Sequence, residues 1–363
     1  MNKKNYLILS GGTGGHVIPA VNFGNFIIEK GYDFSLLIDE RGKKYTNSFK
    51  GQIKIVSSSH FSHNLLGKVR AIISNLIGFF QSWKYMINIR PHSCISFGGY
   101  ATFTPLLVLV FFRIFGFTKI FLHEQNSVMG KVNILFTPFA NKIFLNFMNT
   151  LKIKNFYKKK SFIVGLPFNH KIQLKNRSIN FDNKKYIKVF VCGGSQGAVS
   201  LNKIVINLFN KFPKSILDKM HVSIQCPNSQ KEEINISLGK LSIKYELRYF
   251  FDNFIEKLYE SEVLITRAGA GTINDVILTQ IPAIFVPLPS SADDHQFHNA
   301  NYLKQKKAAL LIKQKDLDSK QSLLTIIGLI SNFKQQINLI KNLQEIKSFD
   351  TNQLIFNHLN DKI

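Results

Sequence analysis

The sequence predicts an α/β protein built from two doubly wound, Rossmann-like domains that face each other across a cleft. Three observations predict it. Short apolar runs alternate with helix-period segments along most of the 363 residues, the pattern of parallel sheets covered on both faces by crossover helices. A unit of strand, glycine loop and helix opens the chain and recurs in weaker form from residue 186. Finally, Gly11–His16, Gly98–Tyr100 and His123–Asn126 all follow predicted strands, which puts them on one rim, beyond the carboxyl ends where such sheets bind ligands.

Leu7-Ile8-Leu9 reads as a buried strand, and the loop after it holds Gly11, Gly12, Gly14 and Gly15 before a helix that Gly31 stops. Tyr32–Asp39 and Ile53–Ser57 read as the next strands. Lys68–Ile89 is a long helix, and Cys94–Phe97 is a strand running into Gly98-Gly99-Tyr100. A helix over about 102–115 leads to the strand Lys119–His123, and Lys142–Leu145 and Phe162–Val164 close a first domain at 1–164. A Lys-rich connector covers His170–Lys185. The second domain, 165–337, restarts with the strand Tyr186–Cys192 and the loop Gly193–Ala198. Strands follow near His221–Cys226, Tyr245–Phe250, Val263–Thr266 and Ala283–Val286, and a C-terminal helix over about 338–363 is expected to cross back onto the first domain.

The net charge is +25, yet only seven of the 47 basic residues are Arg and they are scattered. Nucleic-acid binders cluster Arg among aromatics, so no nucleic-acid partner is expected; a diffuse solvated charge or attraction to an anionic membrane surface fits better. Cys94, Cys192 and Cys226 stand apart in apolar runs, as reduced core thiols of a cytosolic protein without disulfides or zinc would. Met1-Asn2-Lys3-Lys4 leads straight into a strand, so no signal peptide is expected. Leu106–Phe112 is too short an apolar stretch to span a bilayer. A soluble or peripheral protein is expected.

Glycine loops at helix starts offer bare N–H groups to phosphates and sugar hydroxyls. His16 falls on the first turn after such a loop; on its own it would read as a helix-capping histidine. Gly193–Ala198 adds the Ser195 hydroxyl and suits a diphosphate. Gly269–Thr272 repeats the arrangement, with Asp275 one turn inside the helix, where a carboxylate can accept two vicinal ribose hydroxyls or simply face the helix dipole. Asp294-His295-Gln296 and Asn299 are spaced to reach a sugar from a helix start, with Asp294 as an ordinary cap being the plainer alternative. A dinucleotide site is a rival: the first loop has Val17 where that fingerprint has its third glycine, but Asp39 ends the second strand where a ribose-binding acid would sit. Asp316-Leu317-Asp318 has a metal–diphosphate spacing in a charged surface segment, where a solvated helix cap is the better reading.

Gly11–His16, Gly98-Gly99-Tyr100, His123–Asn126, Gly193–Ala198, Arg267–Asp275 and Asp294–Asn299 occur in the order and spacing of one family. Together they resemble the N-acetylglucosaminyltransferases of peptidoglycan synthesis in glycosyltransferase family 28, over essentially the whole chain. The resemblance implies a GT-B fold, UDP-N-acetylglucosamine (UDP-GlcNAc) as donor and lipid I (undecaprenyl-diphospho-muramoyl-pentapeptide) as acceptor. It implies an inverting transfer that forms the β-1,4 bond of lipid II, with no metal and no organic cofactor, at the cytoplasmic face of the cell inner membrane. It makes His16 the catalytic base. Thr13, Gly14, Gly15, Asn126, Ser195, Phe251 (by its backbone), Ala270, Gly271, Thr272, Asp275 and Gln296 become donor contacts. Two departures stand out: Asp275 replaces the family's longer Glu, and Gly165-Leu166-Pro167-Phe168-Asn169 lacks the Arg of Gly-Asn-Pro-Val-Arg. Alternatives are a related GT-B enzyme glycosylating another lipid, or a non-catalytic nucleotide-sugar-binding relative.

In the predicted helix, Ile72, Ile73, Leu76, Ile77, Phe79, Phe80 and Trp83 exceed one packed stripe, and Lys68, Arg70, Lys84 and Arg90 flank them. The resembled family docks on the membrane through this region, so Ile72, Ile73, Leu76, Ile77, Phe80 and Trp83, with Tyr100, are expected on the acceptor and membrane side.

Overall fold

A computed structural model describes residues 5–59, 65–177, 186–241, 243–251 and 253–360, apart from the side chains at 65 and 194–198. Two compact units result: Met1–Gln173 with Phe349–Ile363, and Leu174–Ser348.

The first unit runs β1 (Asn5–Leu9), α1 (Gly14–Glu29), β2 (Asp33–Ile38), β3 (Gln52–Ile55), α2 (Leu65–Ile89), β4 (Ser93–Ser96), α3 (Phe103–Ile114), β5 (Lys119–Glu124), α4 (Lys131–Phe136), β6 (Lys142–Leu145) and β7 (Ser161–Ile163). Its strands form one sheet in the order β3-β2-β1-β4-β5-β6-β7, and every pairing is parallel. β1 shows why its residues are apolar without interruption. Tyr6 and Ile8 pack on one face with Val17 and Phe23 of α1, while Leu7 and Leu9 pack on the other with Met86 of α2 and Leu106 of α3. Alternate side chains point to opposite faces, so a strand covered on both sides needs every position apolar. Gly78 lets α2 lie against the chain after β3, since a Cβ there would overlap the Ser57 carbonyl.

The second unit runs β8 (Ile187–Cys192), α5 (Gly194–Phe209), α6 (Lys214–Leu217), β9 (Met220–Gln225), α7 (Asn228–Lys240), β10 (Lys244–Arg248), α8 (Phe254–Glu260), β11 (Val263–Thr266), α9 (Ala270–Thr279), β12 (Ala283–Phe285), α10 (His295–Gln305), β13 (Leu310–Leu311), α11 (Lys320–Ser331) and α12 (Phe333–Gln344). Its parallel sheet is ordered β10-β9-β8-β11-β12-β13. The two-residue edge strand β13 is absent from the sequence reading; it is too short to show a period of two.

The chain divides at 173/174 and 348/349, against 164/165 and 337/338 as read from sequence. Residues 165–168 stay with the first unit because Thr351 Oγ1 donates to the Val164 carbonyl (2.7 Å) and Asn352 Nδ2 to the Phe168 carbonyl (2.9 Å). α12 stays with the second, where Leu339 joins the core and Asn342 Nδ2 donates to the Lys307 carbonyl at 2.6 Å. Only α13 (Thr351–Leu359) returns to the first unit, burying Ile355, Phe356 and Leu359 beside α1. Cys94, Cys192 and Cys226 are buried thiols outside any disulfide. Among the described residues no helix is long and apolar enough to cross a membrane.

Candidate functional site

On the first unit, the loop after β1 is locked from several sides. A Cβ at Gly11 would overlap the Ala101 Cβ, and one at Gly99 would lie 2.6 Å from the Gly11 carbonyl oxygen, so the two glycines let neighbouring loops touch. Gly12 has φ +82° and donates its N–H to Asp39 Oδ1 at 2.8 Å. Gly14 is buried beside the Tyr45 ring, and Gly15 is the exposed member of the four. Gly11 and Gly12 thus serve the loop itself, while Gly14 and Gly15, the expected donor contacts, stand at the first turn of α1. Thr13 is the N-cap of α1, with extended backbone and no side-chain cap bond. Asp39, the rival site's ribose acid, is taken: Oδ1 holds Gly12 and Oδ2 pairs with Arg41.

His16 is half-buried on the first turn of α1. Its Nδ1 lies 2.8 Å from the Phe97 carbonyl oxygen. A carbonyl can only accept, so Nδ1 carries a proton, and in the neutral ring Nε2 is the bare lone pair. That is the form a general base needs. Glu124, the buried last residue of β5, organises the next loop. Its Oε1 accepts the Asn126 N–H (3.0 Å), and its Oε2 accepts from the Gly130 N–H (2.9 Å) and Asn133 Nδ2 (2.9 Å). Asn126 is thereby held half-exposed on the rim.

On the second unit, glycines stand at the N-caps of two helices, Gly269 before α9 and Gly193 before α5. A Cβ at Gly271 would meet nothing within 4 Å, so the space over the first turn of α9 is open. Ala270 is buried and Thr272 half-buried on that turn. Ser195 lies on the first turn of α5, but its side chain is outside the described residues. Asp275 sits farther along α9, and loss of surrounding water pushes its carboxyl up to about 7. Phe251 is buried against Phe190, with ring centroids 5.0 Å apart.

Two residues read as sugar contacts are partly or wholly committed elsewhere. Gln296 Oε1 accepts from the N–H groups of Ala268 (3.2 Å) and Leu288 (3.0 Å), so its amide nitrogen is the part left for a ligand. Asn299 is fully buried and donates to the Ala268 carbonyl at 3.1 Å; it holds the loop and does not reach the rim. Asp294 makes no cap bond, since it and Asp293 are left-handed at φ 51° and 52°. Such conformations cost on the order of 1 kcal/mol each outside glycine. Asp318 pairs with Lys211 on the surface, away from any glycine loop.

Arg267 was read only as the first residue of a motif, and its placement says more. Its buried guanidinium donates to the Val286 carbonyl (3.0 Å), Ser200 Oγ (2.6 Å) and Gln314 Oε1 (2.8 Å), tying β11, β12 and α5 together under the loops. Burial lowers it only to about 10, so it keeps its charge at neutral pH. An arginine interrupting an apolar run just before a glycine loop was the signal available in the sequence.

Ile72, Ile73, Leu76, Ile77 and Phe80 are exposed along α2, Phe80 to 69%. Trp83 is not among them: it fills the seam with α3, 4.9 Å from the Phe111 ring and 5.6 Å from Phe112. The exposed apolar face continues instead onto Phe111, Ile114, Phe115 and Phe117, a contribution from α3 and its end that periodicity within α2 could not reveal. Tyr100 joins this side through its hydroxyl, which accepts from Asn75 Nδ2 at 3.0 Å.

Residues 6–145 match the glycosyltransferase family 28 N-terminal domain, and residues 188–352 the family's C-terminal domain. The chain belongs to glycosyltransferase family 28. It is 34% identical over 349 residues, 94% of each chain, to the UDP-N-acetylglucosamine--N-acetylmuramyl-(pentapeptide) pyrophosphoryl-undecaprenol N-acetylglucosamine transferase of Rickettsia bellii. The transferase of the same name from Rickettsia canadensis is 34% identical over 91% of this chain and 92% of its own. In fold the chain is similar to Acinetobacter baumannii MurG, with TM-score 0.78, 21% identity and 99% of each chain covered. It is also similar in fold to the calicheamicin glycosyltransferase CalG4, with TM-score 0.70 and 9% identity over 99% of this chain and 98% of that one. Membership in the family makes the chain a hexosyltransferase with a GT-B fold.

Proposed function

We propose that this family 28 enzyme moves N-acetylglucosamine from UDP-GlcNAc to the C4 hydroxyl of the muramoyl sugar of lipid I, forming lipid II. The observation that carries the mechanism is His16, held with a bare Nε2 on the glycine rim of the first unit. Nε2 takes the proton of the acceptor hydroxyl as that oxygen attacks the anomeric carbon from the face opposite UDP, which inverts the centre. Negative charge grows on the departing diphosphate. The start of α9, open above Gly271, and the glycine-led start of α5 stabilise it, with the Arg267 charge behind them. Asp275 accepts the ribose hydroxyls, the amide nitrogen of Gln296 donates to the sugar, and Thr13, Gly15 and Asn126 complete the donor contacts.

In this proposal the apolar face of α2 and α3, flanked by Lys68, Arg70, Lys84 and Arg90, rests on an anionic cytoplasmic leaflet, where the acceptor's lipid tail lies. The test is incubation with radiolabelled UDP-GlcNAc and a lipid I analogue, with UDP-glucose as control. Transfer of N-acetylglucosamine alone to the analogue is expected. Transfer only to a different lipid, or binding without transfer, would replace the reading with one of its alternatives.

A further inference from the structure

His16 is held by more than one carbonyl. Gln125 Oε1 lies 2.9 Å from the same Nδ1 that donates to Phe97. Since Nδ1 carries the proton, Gln125 must turn its oxygen to the ring, which leaves its amide nitrogen as a donor. That nitrogen lies 3.2 Å from His123 Nδ1 and 3.2 Å from the His123 carbonyl. His123 Nδ1 must then accept, its own proton sits on Nε2, and Nε2 donates to the Gly165 carbonyl at 2.9 Å. Each assignment forces the next, and both ends are backbone oxygens that cannot flip. Gln125 is 1% exposed and His123 is fully buried, its ring stacked on Phe97 at 4.9 Å. Burying two polar side chains is unfavourable unless their hydrogen bonds are made, and here both serve one chain that ends at His16.

We infer that Gln125 and His123 are positioning residues: they hold His16 in its Nδ1–H tautomer and fix the plane of its ring, through a hydrogen-bond chain running from the Gly165 carbonyl. The inference rests on the reading of His16 as base. When Nε2 takes a proton, the ring becomes a cation and its Nδ1–H a stronger donor. Two oxygens then meet that hydrogen where one would otherwise. Without Gln125 the Phe97 carbonyl alone opposes rotation of the ring, and the lone pair on Nε2 loses its aim.

The test uses the full chain labelled with nitrogen-15 histidine, with His16→Gln and His123→Phe variants to assign the two rings. The wild type should show His16 protonated on Nδ1 and His123 on Nε2. Gln125→Met, which keeps the shape, should bring in the second tautomer at His16. It should also lower kcat about tenfold, the scale of partners that orient a working histidine, with KM for UDP-GlcNAc within about twofold. His123→Phe should act in the same direction, and because one chain is broken either way, the double variant should be no slower than the slower single. The opposite tautomer on either ring of the wild type overturns the inference without any variant having to fold. So does a Gln125→Met enzyme of normal kcat beside a slow His16→Gln enzyme, or losses that multiply in the double variant. A His16→Gln enzyme as fast as wild type would instead remove the base reading, and the inference with it.

Discussion

The two glycine rims look alike in sequence and are built differently. On the first unit, Gly11 and Gly99 are pressed into each other's loops, Gly12 holds Asp39, and His16 is fixed by carbonyls. On the second unit, Gly271 has open space above it, and Asp275 has a carboxyl raised to about 7 by loss of water. The first rim is finished before a substrate arrives. The second keeps room over the first turn of α9 and a carboxyl short of water, which in the proposed function a ligand meets. The lesson is that a base needs its geometry set in advance, whereas a nucleotide site needs unspent hydrogen-bonding groups.

Substitutions on the two rims should therefore fail in different ways. Gly99→Ala forces a Cβ onto the Gly11 carbonyl at φ +89° and should destabilise the protein by about 3 kcal/mol in chemical denaturation. His16→Ala should leave folding and UDP binding intact while lowering kcat by about a hundredfold in steady-state assays. Gly271→Ala goes the other way: in an open helix turn it should leave stability unchanged or raise it by up to about 1 kcal/mol. UDP binding by calorimetry should nonetheless weaken by roughly tenfold, because a methyl group now stands over the free N–H groups. A Gly271→Ala protein that unfolds early, or a Gly99→Ala protein that does not, would erase the distinction.

Asp275 gives a pH test of the same contrast. Its folded carboxyl, near 7, lies above its unfolded value, so the native apoprotein holds a proton that the unfolded chain releases, and stability falls as pH rises from about 4 to 7. Binding has the opposite sign. Ribose hydroxyls donate to the ionised form, so UDP affinity should rise by up to about tenfold between about pH 6 and 8 and level off above. Asp275→Asn should flatten that curve. His123 marks the first rim: burial pushes it down to about 4, so the native state resists a proton that the unfolded chain takes up. Stability should fall by roughly 3 kcal/mol as pH drops from about 6.5 to 4, and His123→Phe should lose that dependence. The smallest expected effect is on membranes: Ile77→Glu/Phe80→Glu should reduce flotation with anionic vesicles and leave UDP binding unaltered.

Much of this was legible in the chain itself. Uninterrupted apolar runs such as Leu7–Leu9 announced strands buried on both faces, and glycine loops after them placed the rims. What escaped depended on distant neighbours. Gly11 and Gly271 are the same letter, and distant neighbours, above all Ala101 ninety residues from Gly11, separate packing from open space. Trp83 belongs to a seam because of Phe111 and Phe112 on another helix. The roles of Gln125 and His123 depend on the backbone oxygens of Phe97 and Gly165, which carry no side-chain signature. Phe168 is held to the first unit by Asn352, at the far end of the sequence.

The most direct test of the account is calorimetric titration of UDP into wild type, His16→Ala and Gly271→Ala side by side. Equal binding by the first two and roughly tenfold weaker binding by the third is the predicted result. No heat with the folded wild type, or a loss of binding in His16→Ala matching that in Gly271→Ala, would contradict it.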